Sequence, residues 1–334
     1  MRFRLWHLQL IGAGTLVFVI SLALVPAPGN TFPVRATASV VDGRLKVSGV
    51  TGEVDMQTAE PVGAVAMTPD GKRIALTTGT PIEEAAGGIR GQVAVVDGES
   101  GRVLARTEFH RAIVADVAFS RDGLRVGFVK DYEELWVMHA DGTSLRKVAD
   151  AGALAPVLGS TLFDPAFSPS GQAIYFGLVE QTFFGEDDKL DNIWKVSMDG
   201  RASRVTQFSA PAGPGGWKVV RGPLPVGDGE VLFTSGGSTK ESWQVGRVGP
   251  GGRISALGPV PSMTRAVGIS SQEITLETLD NQTASYDLYS MSIDEGRMGW
   301  SRWCSDGCRT IGHGIDAVAV SFPLRTAAGG DGGL

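Results

Sequence analysis

The chain has 334 residues with a formal net charge of −6, and it contains 46 Gly, 17 Pro, four His and two Cys. An acidic balance argues against non-specific nucleic-acid binding, which requires a basic surface. The glycine share is about twice the usual ~7% and has no G-x-y period, so it indicates many turns rather than collagen or disorder.

The N-terminus carries a hydrophobic segment. Arg2 and Arg4 precede an apolar run from Leu8 to Val25. Basic residues before such a run predict that the N-terminus stays inside and that the rest of the chain lies outside the cytoplasm. The run is at the lower limit for spanning a ~30 Å hydrocarbon core, so it is either a single-pass anchor or a cleaved signal peptide. We therefore expect an extracytoplasmic protein that is membrane-anchored, secreted or periplasmic.

A linker that turns into strands follows at residues 31–60. The stretches ATASVVDG and RLKVSGV flank Gly43 and predict a β-hairpin that stands apart from the repeats after it.

The rest of the chain repeats one multi-strand unit. The stretch from Asp116 to Gly142 alternates apolar and polar residues in two runs on either side of Asp122-Gly123, which predicts two strands joined by a tight turn, with a third strand after them. Copies occur at 164–200 and from Ala64 onward. Repeats of about 40–50 residues are typical of four-stranded propeller blades.

Five turn positions and one further unit predict six blades. Turns are expected near Asp70, Asp122, Ser170, Asp228 and Ser270, and the last unit, from Asp316, supplies only inner strands. Pairing the N-terminal strands with this last unit would close the ring and remove exposed sheet edges. The predicted fold is an all-β six-bladed β-propeller of antiparallel blades at 61–326, preceded by the hydrophobic helix at 1–30 and the ring-closing strands at 31–60, and followed by a flexible tail at 327–334.

Aromatic residues recur in the third strand of the units, at Trp136, Trp194, Trp243 and Tyr289. They could form a stacking platform for sugars or bases, but packing between sheets that face each other explains them better.

The acidic stretch Gly185 to Asn192 is a weak candidate for a calcium loop through Glu186, Asp187, Asp188 and Asp191. It lacks the D-x-D-x-D-G spacing, so a solvated loop is favoured and no metal or cofactor is predicted. Cys304 and Cys308 lie on a short turn and predict a structural disulfide in an exported chain.

Two of the repeats resemble a known family. The copies AFSPSGQAIYFGLV (166–179) and AMTPDGKRIALTTG (66–79) are similar to the repeat of TolB-type, WD-repeat-like β-propellers. The resemblance covers roughly residues 60–325. It implies about six blades and protein binding at a propeller face. TolB itself has an additional N-terminal α/β domain, for which too few residues precede Ala64 here.

Alignment of the repeats on their turns places three carboxylates at one equivalent position, the first residue of the first strand: Asp116, Asp164 and Asp316. First strands line the central channel of a propeller, so these residues are the predicted binding site at the channel mouth. One interpretation is an acidic socket for a cationic peptide tail or a metal ion. The other is that each Asp accepts backbone N–H groups where its own strand begins.

Two classes of function follow. The first is a non-catalytic, monomeric cell-envelope propeller that presents a face to an envelope protein or peptide. The alternative is an exported propeller enzyme, a lyase or hydrolase, which would need at least two His, or a His with paired carboxylates, at equivalent positions. The sequence contains neither a G-x-S-x-G nor an H-E-x-x-H motif, and the first class is favoured.

Overall fold

The computed structural model describes residues 36–41, 44–49, 52–56, 58, 60–82, 89–109, 111–156, 159–182, 189–208, 219–227, 229–236, 243–260, 264–269, 273–280, 285–292, 308–315 and 317–321. Within these ranges the chain forms 24 strands and one short helix. All sheet pairings are antiparallel, and four strands per unit is the rule. This is the all-β arrangement of a β-propeller.

Five units follow one another along the chain, and we call them blades 1 to 5. Blade 1 contains β4 (Val62–Met67), β5 (Arg73–Pro81), β6 (Ile89–Asp97) and β7 (Val103–Arg106). Blade 2 contains β8 (Ile113–Phe119), β9 (Arg125–Lys130), β10 (Glu134–His139) and β11 (Arg146–Asp150), followed by helix α1 (Ala151–Leu154). Blade 3 contains β12 (Leu162–Phe167), β13 (Ala173–Thr182), β14 (Lys189–Ser197) and β15 (Ala202–Arg204).

Blade 4 contains β16 (Val219–Gly227), β17 (Glu230–Gly236), β18 (Gln244–Val248) and β19 (Ile254–Pro259). Blade 5 contains β20 (Thr264–Ile269), β21 (Glu273–Asp280), β22 (Ser285–Ser292) and β23 (Cys308–Ile315). A further sheet, the terminal sheet, joins both ends of the described chain in the order β24-β1-β2-β3. Its strands are β1 (Ala36–Val41), β2 (Arg44–Gly49), β3 (Gly52–Met56) and β24 (Ala317–Ser321).

The hairpin predicted around Gly43 is confirmed, because β1 and β2 pair from Ala36↔Gly49 to Val41↔Arg44. β1 also pairs with β24, from Ala36↔Ser321 to Val40↔Ala317.

The tight turns between the first and second strands are confirmed in blades 1 to 3. Gly71, Gly123 and Gly171 have φ of +75°, +69° and +68°, a region that costs glycine little. The side chains also brace these turns, since the Thr68 hydroxyl donates to Asp70 at 2.6 Å. The turns expected at Asp228 and Ser270 lie outside the described residues. We call the end of the blades that carries these turns the turn end and the opposite end the loop end.

Blades 1 and 2 differ from the expectation of separate four-stranded sheets. β6 pairs with β8 at Ile89↔Val114 and Arg90↔Ile113, so the two blades form one eight-stranded sheet. β6 has nine residues and its partner β7 only four, which leaves the loop end of β6 available to the next blade.

The core lies between consecutive sheets. Buried side chains of blades 2 and 3 form one cluster that includes Val129, Leu135, Leu162, Ile174 and Phe176. Equivalent clusters join blade 1 to blade 2, blade 3 to blade 4, and the terminal sheet to blade 1. Burial of apolar surface between sheets fixes how each blade packs on the next.

The outer strands show protection against edge-to-edge pairing. Register shifts interrupt the pairing of β7, β11 and β19 with their partner strands. Bulges of this kind twist an edge and discourage another chain from adding to it.

In the part of the chain that the structure describes, no helix is long and apolar enough to cross a membrane. The hydrophobic run from Leu8 to Val25 lies outside that part.

Candidate functional site

Two of the three predicted carboxylates lie on neighbouring inner strands near the loop end. Asp116 lies within β8 and Asp164 within β12, so both follow the start of the strand rather than forming it. Each has a left-handed backbone, with φ of +43° and +50°, and Gly222 on β16 has φ of +53°. The strand pairing shifts register at each of these positions. Asp tolerates this conformation better than most residues, which explains its occurrence at these bulges. Asp316 lies outside the described residues.

The two carboxylates connect consecutive blades. The Asp164 backbone N–H donates to Asp116 Oδ2 at 3.1 Å, and the Gly222 N–H donates to Asp164 Oδ2 at 2.9 Å. The donor in each of these two bonds belongs to the next blade, whereas the second interpretation of the sequence places a donor on the residue's own strand. A backbone N–H has no formal charge, so these bonds leave the negative charge of both carboxylates in place.

Tyr132 lies beside this pair. It forms the tight β9–β10 turn together with Asp131, and the two residues have φ of +57° and +53°. Two successive left-handed residues are the signature of a two-residue hairpin turn of type I′. The Asp131 carboxylate holds the turn by accepting the Ile113 N–H at 2.8 Å, and the Tyr132 carbonyl accepts the Leu162 N–H at 2.7 Å.

The Tyr132 hydroxyl is buried, and no described residue forms a hydrogen bond with it. Burial, with a further contribution from the charge of Asp116, raises the pKa of Tyr132 to about 12. The phenol is therefore protonated at neutral pH and can donate a hydrogen bond to an acceptor. A buried polar group without a partner is rare and destabilising, so a polar group that reached this hydroxyl would stabilise it.

Arg221 lies on the inner strand of blade 4, directly before Gly222. Its guanidinium carbon is 4.6 Å from the centroid of the Phe163 ring. Phe163 is buried on the neighbouring blade, so a cation lies over an aromatic ring beside the Asp164 contact.

Sequence reasoning missed Tyr132 and Arg221. A short Asp-Tyr pair between two strand patterns indicates the tight turn, but nothing local indicates that the hydroxyl is buried. The sequence shows that Arg221 directly precedes Gly222. It does not show the contact of Arg221 with Phe163, because the two residues are far apart in the chain.

The structure describes only one of the four acidic residues of the candidate calcium loop. Asp191 lies in β14 and is 2% exposed, so its expected place on a solvated loop is wrong. Its strand extends further toward the loop than the polar sequence suggests, because β13 and β14 pair as far as Thr182↔Lys189. Glu186, Asp187 and Asp188 lie outside the described residues. Within the described part of the chain, no group of three or more His, Cys, Asp or Glu could hold a metal ion.

The tryptophans pack between blades, as the packing interpretation predicts. Trp136 and Trp194 are partly buried against the clusters that join blades 1 and 2 and blades 2 and 3. Trp243 is 4% exposed. The indole N–H of Trp194 donates to Glu180 at 2.5 Å, and Arg204 pairs with the same carboxylate at 2.8 Å. The side chain of Tyr289 lies outside what the structure describes.

The predicted cysteine pair is only partly within the described chain. Cys308 is the first residue of β23, whereas Cys304 lies outside the described residues, so the disulfide stays a prediction. His139 is exposed at the turn end, where its Nδ1 is 3.2 Å from the Thr143 hydroxyl, and it is remote from the two carboxylates at the loop end.

Comparison with known proteins finds only distant structural likenesses. No family model matches the sequence, and a search of the curated proteins found no match. Among solved structures, an oligogalacturonate lyase in complex with manganese is 14% identical, with 78% of this chain and 74% of that chain covered and a TM-score of 0.49. An oligogalacturonate lyase from Vibrio parahaemolyticus is 13% identical, with coverages of 78% and 75% and a TM-score of 0.48.

A dipeptidyl peptidase 4 from Porphyromonas gingivalis is 12% identical, with a TM-score of 0.47. It matches over 79% of this chain but only 46% of its own length. We draw no argument about activity from these likenesses. The antiparallel four-stranded sheets define the class of the protein as a β-propeller.

Proposed function

We propose that the chain is an exported, non-catalytic binding protein of the TolB-like propeller type, which presents its loop end to a cationic segment of an envelope protein or peptide. The observation that carries this proposal is the buried Tyr132 hydroxyl, which has no hydrogen-bond partner among the described residues and lies beside the charge of Asp116. Asp164 extends the negative charge to the next blade through its contact with Asp116.

The architecture of this proposal is a closed ring of six blades, with the terminal sheet as the sixth. Three contacts support it. β1 pairs with β24, and β24 packs against both β20 of blade 5 and β4 of blade 1. In such a ring Asp316, directly before β24, would join Asp116 and Asp164 at the channel mouth. Closure also protects the edges of the terminal sheet.

The chemistry favours a cation. Carboxylates on consecutive inner strands produce a negative potential that attracts a basic group and disfavours an acidic one. A lysine or arginine side chain would donate hydrogen bonds to the carboxylates, and the phenol oxygen of Tyr132 would accept one from the same group.

Peptide binding tests the proposal on the full-length chain in detergent. The probes are two fluorescein-labelled peptides of equal length, one with lysines and one with glutamates between the same glycine and serine spacers. Fluorescence anisotropy gives the affinity of each. The test variant replaces Asp116, Asp164 and Asp316 by Asn, which keeps an acceptor and removes the charge.

The matched control replaces Glu99, Glu108 and Glu133 by Gln, because all three are exposed and the change in net charge is the same. The lysine peptide should bind the wild type and the control variant alike and bind the Asn variant about tenfold or more weakly, since hydrogen bonds to charged groups are worth about 1.5–3 kcal/mol. Equal affinity of a folded Asn variant, or equal loss in the control, would refute the socket. Tyr132→Phe removes the phenol hydroxyl and should weaken the binding of the lysine peptide.

Export and the disulfide have separate tests. A reporter enzyme that is active only outside the cytoplasm should work when fused after Leu334, and cell fractionation should show whether the chain remains in the membrane. A digest without reductant should yield a peptide that links Cys304 and Cys308. An inactive reporter would contradict export, and alkylatable thiols in protein from its native compartment would contradict the bridge.

A further inference from the structure

The arginines with described side chains are either exposed or partly buried. Several of the exposed ones form no hydrogen bond or ion pair within the described residues, as is normal for a group that water surrounds. Of the three that are partly buried, Arg73 donates to the Gly123 carbonyl at 3.1 Å and Arg125 to the Gly171 carbonyl at 2.6 Å. Arg221 is the third: within the described residues its guanidinium forms no hydrogen bond or ion pair, and it lies over the Phe163 ring at 4.6 Å. Arg221 is therefore the partly buried guanidinium whose donors the described chain leaves unused.

The Arg221 side chain is held in place by a stack of three layers. Phe163 pairs with Gly177 across the β12–β13 ladder. A Cβ at Gly177 would lie 2.0 Å from the Phe163 ring, so the ring rests directly on the glycine backbone. The guanidinium carbon lies 4.6 Å from the centroid of the same ring. The buried ring thereby gives the guanidinium a packed surface to rest against.

The backbone beneath Arg221 is fixed as well. The following residue, Gly222, donates its N–H to Asp164, and the Arg221 carbonyl accepts the Thr234 hydroxyl at 3.4 Å. The backbone of Arg221 is therefore held by these bonds, and its guanidinium by the Phe163 ring, before any ligand arrives. A planar guanidinium with its edge unused matches the two oxygens of a carboxylate, and prior positioning lowers the entropic cost of binding.

We propose that Arg221 is the recognition residue for a carboxylate at the loop end, held between blades 3 and 4. This carboxylate is the C-terminal or side-chain carboxylate of a peptide ligand. The proposal adds an anion site next to the acidic socket, because Gly222 links Arg221 directly to Asp164. It rests on the proposed function only for the identity of the ligand as a peptide. A peptide that satisfies both sites carries a basic group and an acidic group within a few residues of each other.

Titration with sodium acetate tests the site without any assumption about the peptide. The side-chain Nε–H signals of arginine are followed by NMR in the full-length chain in detergent, with sodium chloride at the same ionic strength as the reference. The Arg221 signal is the one absent from Arg221→Lys. We expect a saturable shift of this signal with acetate. Arg111, exposed at the same end with no contact to a carboxylate in the described chain, is the matched control and should respond alike to both salts. No saturable shift at Arg221, or an equal shift at Arg111, would overturn the proposal.

Peptide probes distinguish the two sources of the carboxylate. Two labelled peptides that each carry one carboxylate are compared. The first has a free C-terminus and no acidic side chain, and the second has an amidated C-terminus and a single internal glutamate. Arg221→Lys keeps the charge but loses the planar fork, and it should bind the recognised peptide about tenfold more weakly, whereas Arg111→Lys should not change the affinity. Wild-type affinity in Arg221→Lys would count against the proposal. If the acetate shift occurs while the lysine peptide binds the Asn variant normally, the acidic socket is refuted and the carboxylate site stands. If there is no acetate shift while the Asn variant loses affinity for the lysine peptide, the carboxylate site is refuted and the acidic socket stands.

Discussion

The carboxylate of Asp116 accepts a hydrogen bond from the backbone N–H of Asp164, the residue that occupies the same position in the next blade. The two residues are 48 positions apart, and the same contact recurs from Asp164 to Gly222. A side chain on one inner strand thus fixes the backbone of the following one. These carboxylates hold the blades in position relative to each other, and they bring negative charge to the loop end.

Removal of the Asp164 carboxylate should destabilise the fold. Asp164→Ala leaves the Gly222 N–H without its acceptor and places alanine in a left-handed conformation. The free energy of unfolding should fall by about 1–3 kcal/mol. Urea unfolding followed by tryptophan fluorescence measures the change. Asp164→Asn should recover most of the loss because its amide oxygen still accepts, and Glu99→Ala, at an exposed position, should resemble the wild type. Wild-type stability of Asp164→Ala would show that the contact contributes little.

Removal of the Tyr175 hydroxyl should leave the protein as stable or more stable. Tyr175 is 1% exposed in the cluster between blades 3 and 4, and the part of the chain that the structure describes offers its hydroxyl no hydrogen-bond partner. Tyr175→Phe removes the cost of burying this group, so we expect a gain of about 1 kcal/mol in the free energy of unfolding. The same unfolding experiment applies. Phe176→Leu, which shortens a fully buried neighbour, should instead lower the stability. A loss in Tyr175→Phe would indicate that the hydroxyl has a partner.

A methyl group at Gly177 should disturb the Phe163 ring and, through it, Arg221. The added Cβ would lie 2.0 Å from the ring, too close for any real contact. Gly177→Ala should therefore cost about 1–3 kcal/mol of folding stability and should weaken acetate binding at Arg221. Thermal unfolding and the acetate titration report the two effects. Gly249→Ala is the matched control, because nothing lies within 4 Å of the added Cβ there. If Gly177→Ala left both the melting temperature and the acetate binding unchanged, the packing of Phe163 on Gly177 would not be what positions Arg221.

Acid should weaken the ionic cluster at the loop end of blade 2. Burial alone would raise the pKa of Glu134, but hydrogen bonds from Lys130, Trp136 and Lys147 outweigh it and lower the pKa to about 2. Since this value is below the ordinary 4.5, the unfolded chain takes up the proton first. The stabilisation is complete above about pH 4.5 and is lost as the pH falls toward about 2.

Melting temperatures of the wild type and Glu134→Gln across this range measure the effect. The wild type should be the more stable at neutral pH, and the difference should shrink below about pH 4.5. Glu133→Gln, at the exposed neighbouring position, should follow the wild type throughout. A difference that is independent of pH would show that the charge of Glu134 is not responsible.

The sequence by itself determined the strands, the tight turns and the hairpin that precedes the repeats. These features depend on short stretches, because the alternation of Val117, Phe119, Val126 and Phe128 and the Asp122-Gly123 pair act locally on the backbone. The equivalence of Asp116 and Asp164 was also visible, because repeated units place corresponding residues at corresponding positions.

Only the tertiary structure decided what these residues contact. Whether Asp116 serves its own strand or the next blade depends on how two blades pack, and no local pattern encodes that distance. The burial of the Tyr132 hydroxyl and the stacking of Arg221 on Phe163 arise in the same way, since each brings together groups from different strands. The joining of blades 1 and 2 into one sheet likewise depended on the short β7, which leaves the end of β6 free to pair with β8.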